Sequence, residues 1–121
     1  MPYTWSICDP FTPDLIEKGG IEKDAIVDTF LKHPWMELCR KMNDPSNGEP
    51  CFSPTLNFTD TDTLDDLSFS FVGDESQFDF LVFINFDEHN ADRQGFDLEA
   101  SKKILEAFVR GDLEYIIQKI C

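Results

Sequence analysis

The sequence predicts an α+β domain, an antiparallel meander sheet of three strands or slightly more packed against N-terminal and C-terminal helices. Three observations carry that expectation. Apolar and polar side chains alternate through residues 55–59, 67–71 and 78–86, the two-residue period of strands. Apolar residues recur at helical spacing on both sides of that block, through 21–42 and 97–120. A chain of 121 residues that is 41% hydrophobic and carries 12 Phe has enough apolar surface for one real core. The whole of 1–121 is therefore expected to be a single domain, neither disordered nor divided.

Residues 1–20 are expected to be irregular, because Pro2, Pro10, Pro13, Gly19 and Gly20 punctuate them. Trp5, Ile7, Phe11, Leu15 and Ile16 remain available to anchor that segment. From Ile21 the period changes: Ile21, Ala25, Ile26, Phe30 and Leu31 share one helical face. Pro34 must interrupt that helix, since it lacks the donor and clashes with the preceding turn. A second helix then runs to Met42, with Trp35, Leu38, Cys39 and Met42 inward. Residues 43–50 hold every turn signal at once and read as a loop.

The strand region spans 52–86. Leu56 and Phe58 define the inner face of its first strand, Leu67, Phe69 and Phe71 that of the second, and Phe78, Phe80, Val82, Ile84 and Phe86 that of the third. Leu81 and Phe83 make the third strand apolar on its other face too, predicting cover, at least in part, on both sides. Residues 61–66 and 73–77 connect the strands, and 87–95 reads as a polar loop. Asp97 is a good N-cap for a helix whose stripe is Leu98, Ser101, Ile104, Leu105, Phe108 and Val109. Gly111 is placed to end it, and Asp112 to start a last helix bearing Leu113, Ile116, Ile117 and Ile120.

The charge is the most informative feature. The net charge is −14, and residues 42–92 hold 12 acidic side chains without one Lys or Arg, whereas the rest holds 12 acidic and 10 basic. Uncompensated carboxylates repel one another, so their concentration points to a surface built to meet cations, against a blander reading in which acidity only aids solubility. The candidate partner-binding residues are Asp60, Asp62, Asp65, Asp66, Asp74, Glu75, Asp79, Asp87, Glu88 and Asp92. Loops of a meander emerge alternately at its two ends, so 61–66 and 87–92 should share one end, the expected centre of the surface. Any of Tyr3, Trp5, Trp35 and Phe83 left exposed beside carboxylates would be an interface anchor.

Other chemistries find little support. Asp60-Thr61-Asp62-Thr63-Leu64 begins like a calcium loop, but Leu64 holds a ligand position and Asp65 replaces the required glycine. The two histidines, His33 and His89, sit in no catalytic or metal motif, and His33 is expected to be a capping or surface residue. No catalytic activity, metal or cofactor is expected. Direct nucleic-acid binding is disfavoured by repulsion from phosphates. Cys8, Cys39, Cys51 and Cys121 form no paired motif and are expected to be free thiols. With no apolar span and no basic-then-apolar leader, the expected location is the cytoplasm, without membrane contact.

In size, acidity and element mix this chain resembles bacterial immunity proteins, including those of contact-dependent growth-inhibition systems. The resemblance implies a function: binding the toxic domain of a cognate effector, often a basic nuclease, and occluding its active site as a monomer or 1:1 complex. Two alternatives share the electrostatics: a nucleic-acid mimic that antagonises a DNA-binding enzyme, and an acidic secretion chaperone for an effector.

Overall fold

The computed structural model describes residues 3–121, so Pro2 lies outside the described residues. The chain forms β1 (Tyr3–Cys8), β2 (Ile16–Ile21), α1 (Ile26–Lys32), α2 (Trp35–Asn43), β3 (Thr55–Asp60), β4 (Asp66–Phe71), β5 (Phe80–Phe86), β6 (His89–Phe96), α3 (Leu98–Val109) and α4 (Leu113–Ile120). All six strands belong to one sheet in the order β2-β1-β3-β4-β5-β6, and every neighbouring pair is antiparallel. The domain is α+β, with twice the three strands of the expected meander. Among the described residues no helix is long and apolar enough to cross a membrane.

Three of the strands stand where alternation placed them, and three occupy segments read as irregular or loop. Residues 3–8 and 16–21 form a hairpin rather than an irregular segment, and β1 of that hairpin then pairs along its whole length with β3. The glycines do not break β2; Gly19, at φ +87°, sits beside a bulge in the β1–β2 register. The expected polar loop 87–95 is reduced to the two residues Asp87 and Glu88, and the rest is β6. Its ladder to β5 holds β6 at the sheet edge, although few of its side chains are apolar. Ile21 closes β2 instead of opening a helix, and a 3-10 turn at Lys23–Ala25 leads into α1.

Register decides which side chains meet the helices. Leu56 lies opposite Phe69, which lies opposite Val82, and Phe58, Leu67 and Ile84 form the next row. These six are essentially fully buried. Phe30 of α1 packs on Phe69 and Phe80 with ring centroids 4.8 and 5.4 Å apart, and Trp35 of α2 meets Phe80 at 4.9 Å. Phe108 of α3 lies against Tyr3 and Phe86 at the other end of the same face, and Ile116 and Ile120 bury α4 there too. Helices therefore cover one face only. The second face, which Leu81 and Phe83 led us to expect as partly covered, has no helix on it, and Phe83 is exposed. Tyr3 and Trp35 are buried in the core and are not surface anchors, and Leu31 points to solvent.

The helix ends follow the sequence. Asp97 accepts a hydrogen bond from Ala100 N at 2.8 Å, and Asp112 accepts one from Tyr115 N at 3.2 Å. Gly111, at φ +79°, makes the left-handed stop between α3 and α4.

Removing the Phe30 ring should open a cavity where three aromatic neighbours converge. Phe30→Ala is expected to cost about 3–5 kcal/mol in urea unfolding. A loss below about 1 kcal/mol would mean that α1 does not clamp the sheet.

Candidate functional site

Two turns build the acidic end. In the first, between β3 and β4, the Asp60 carboxylate accepts from Asp62 N at 2.9 Å, and the Asp60 carbonyl accepts from Leu64 N at 2.7 Å. Thr63 donates its hydroxyl to Asp65 Oδ2 at 2.7 Å, and the Thr63 hydroxyl oxygen accepts from Asp65 N at 3.3 Å. This folding forces Leu64 to φ +65°, a left-handed conformation that L side chains rarely adopt, and leaves its side chain 71% exposed. The second turn is Asp87–Glu88, where Asp87 takes φ +42° and Phe86 pairs with His89 across it. Both turns emerge at one end of the sheet. Thr63, Asp65, Asp87 and Glu88 face one another across a cleft of about 360 Å³ whose floor includes Phe86, Leu113 and Ile117.

Of the ten candidate residues, the fold brings six to this end: Asp60, Asp62, Asp65, Asp66, Asp87 and Glu88. Their proximity is felt by Tyr3, whose hydroxyl pKa is raised by burial and then by the charges of Asp60 and Asp62. The six are not equivalent. Asp65, expected at the surface, is only 6% exposed because its carboxylate turns in to Thr63, and Asp66 accepts a hydrogen bond from Thr59. Asp62, Asp87 and Glu88 are exposed.

Asp74, Glu75 and Asp79 lie at the opposite end of the strands and are engaged there. Asp74 accepts from Ser76 N and Oγ at 2.8 and 2.6 Å, which hold its pKa below the ordinary carboxylate value. Glu75 stands 3.8 Å from Arg40 Nε. Asp79 accepts from Gly95 N at 3.1 Å and so pins the β6 bulge. Gly73 enters the same loop so tightly that a Cβ would sit 2.2 Å from the Gln77 carbonyl oxygen. Asp92 belongs to neither end; it lies on the uncovered sheet face, opposite Phe83.

The sequence could have been counted for charge but not for Leu64. An apolar residue inside a run of carboxylates was visible; its exposure and strained backbone depend on the turn. Among the described residues there are four ion pairs, Lys32–Asp28, Arg40–Glu75, Lys41–Glu37 and Arg110–Asp112, so Glu75 alone of the ten is paired. No group of three or more metal-competent side chains gathers among the described residues, and all four cysteines are free thiols.

His33 differs from the expectation of a surface cap. Its ring sits edge-on to Trp35 at 4.5 Å, and its buried Nε2 has no hydrogen-bond partner. Burial lowers its pKa to about 4, with Asp9 opposing and Lys18 adding to that shift. No family model, curated protein or solved structure matches this chain.

Two predictions come from these placements. Between pH 6.5 and about 4 the unfolded chain binds more protons at His33 than the folded one, so this residue makes stability fall as pH drops through that window. In urea titrations the parent should therefore lose stability relative to His33→Gln on acidification, and parallel pH curves would refute the buried neutral ring. Leu64→Asn, which tolerates the left-handed backbone, should stabilise the fold by about 0.5–1 kcal/mol, read as a raised thermal midpoint.

Proposed function

We propose that the protein is an inhibitory binding partner, an immunity protein that occludes the basic active-site surface of a bacterial toxic domain, with a nuclease as the favoured target. The observation that carries this reading is the acidic end: six carboxylates on two adjoining turns, none of them in an ion pair with Lys or Arg among the described residues. A surface of that sign accelerates encounter with a basic protein and rejects acidic ones. Carboxylates held on ordered turns also suit the Lys and Arg that would otherwise hold substrate phosphates. The patch is confined to one end of the sheet, which favours a compact target surface over imitation of a long duplex. On this reading the protein acts by binding, without catalysis, in the cytoplasm and as a 1:1 complex.

Asp62 and Glu88 are the residues to reverse, since each is exposed and neither enters an ion pair among the described residues. Asp62→Lys with Glu88→Lys should weaken binding to the cognate toxic domain by roughly 100-fold in calorimetry and strip most of its salt dependence. The thermal midpoint should hold or rise, because like-charge repulsion falls. Unchanged affinity would remove the acidic end from the interface.

A further inference from the structure

The uncovered face of the sheet is divided into two unlike halves. Across β3 and β4 its polar groups satisfy one another in three successive cross-strand pairs: Thr59 donates to Asp66, Ser68 to Asn57, and Thr55 shares a hydrogen bond with Ser70 at 2.8 Å. Across β5 and β6 that pairing is confined to the far end, where Gln94 donates to Asp79 just before β5 at 3.3 Å. Phe83, 39% exposed, lies directly opposite the exposed Asp92 on the edge strand. Among the described residues the Asp92 carboxylate has no ion pair and accepts no hydrogen bond, and the two cations set over aromatic rings, Arg110 and Lys119, both belong to Tyr115. Arg93, next to Asp92 in sequence, takes the opposite face and donates to the Lys119 carbonyl of α4.

We propose that the outer face of β5 and β6 is a docking surface for an arginine-bearing segment of a basic partner, with Phe83 and Asp92 as its paired contacts. Directly opposed residues of an antiparallel pair hold their side chains about 5 Å apart, so one guanidinium can stack on the ring and reach the carboxylate. Only arginine is planar enough to do both; an ammonium can serve the carboxylate but gains less from the ring. Charge complementarity excludes the opposite kind of occupant. Glu17, Asp66 and Asp92 are the charges that register sets on this face, and a phosphate or an acidic peptide would be repelled. This deepens the binding role proposed above and rests on it only in taking the partner to be basic.

The test uses the full chain and two probes, an octa-arginine and an octa-lysine peptide, in amide chemical-shift titrations at one ionic strength. The arginine peptide should move the amides of Ser68, Phe83 and Asp92 and bind about fivefold more tightly than the lysine peptide. Phe83→Thr and Asp92→Asn should each abolish that preference, and dispersed amide spectra will show that both variants remain folded. Equal affinities for the two peptides, or shifts confined to the turns at 60–66 and 87–88, would overturn the proposal. The latter result would leave the toxin-inhibitor reading standing. Arginine-selective docking on this face without inhibition of any toxic domain would do the reverse.

Discussion

The layer of aromatic rings between the first helices and the sheet is the contact on which the other arrangements depend. Phe30 and Trp35 come from a helical crossover, Phe69, Phe71 and Phe80 from two adjacent strands, and they meet at 4.8 to 6.5 Å, edge-on or tilted except for the stacked Trp35–Phe71 pair. Such geometries suit ring quadrupoles, and each large ring removes much apolar surface from water. Once those rings face the helices, the two-residue period of each strand leaves no freedom: Thr55, Asn57, Ser68 and Ser70 must face the other way. The crossover also inserts β1 between β2 and β3, because the chain leaves the β1–β2 hairpin, passes through α1 and α2, and returns on the far side of β1. The acidic turns then fall where the strands end.

The carboxylates thus differ in use although composition makes them look alike. At one end of the sheet Asp74 orders its own loop and Asp79 holds a bulge in the edge strand. At the other end Asp60 caps the turn that it begins, while the exposed Asp62 and Glu88 carboxylates enter no ion pair among the described residues. Exposed charges on turns interact through water, so their mutual repulsion costs the fold little per pair. The same exposure leaves their field directed outward. Hydrogen bonding by some members and solvent exposure of others resolve the apparent conflict between a crowded charge and a stable domain.

The legible part of the fold was the part whose inner face is apolar. Leu56 and Phe58, Leu67 to Phe71, and Phe80 to Phe86 declare their strands, and Asp97, Gly111 and Asp112 mark real helix ends. β6 was illegible because its inward positions before the bulge are His89, Ala91 and Arg93, and it is held by backbone bonds, by Arg93 reaching α4 and by Phe96 packing on the core beyond the bulge. β1 did alternate, through Tyr3, Trp5 and Ile7, but nearby prolines and glycines outweighed that signal. The convergence of the 61–66 and 87–88 turns was readable from meander topology. The diversion of Asp74 and Asp79 to internal work, and the burial of Asp65, required side-chain partners that spacing alone does not supply.

Distance separates what the acidic end and the sheet face can contribute to binding. Asp92 lies three residues beyond His89, about 10 Å along the strand and therefore near one Debye length at physiological salt. On the binding role proposed above, the turn carboxylates reach an approaching cation through that screened field and act on its rate of arrival, without distinguishing arginine from lysine. On the docking proposal discrimination comes from contact, and the Phe83–Asp92 pair sets an aromatic ring beside a charge. Salt should then act mainly on association, while the chemistry of the β5–β6 face acts on dissociation. On the proposed role, an acidic composition attracts a basic protein, whereas choosing among basic proteins falls to Phe83 and Asp92 on the open face of the sheet.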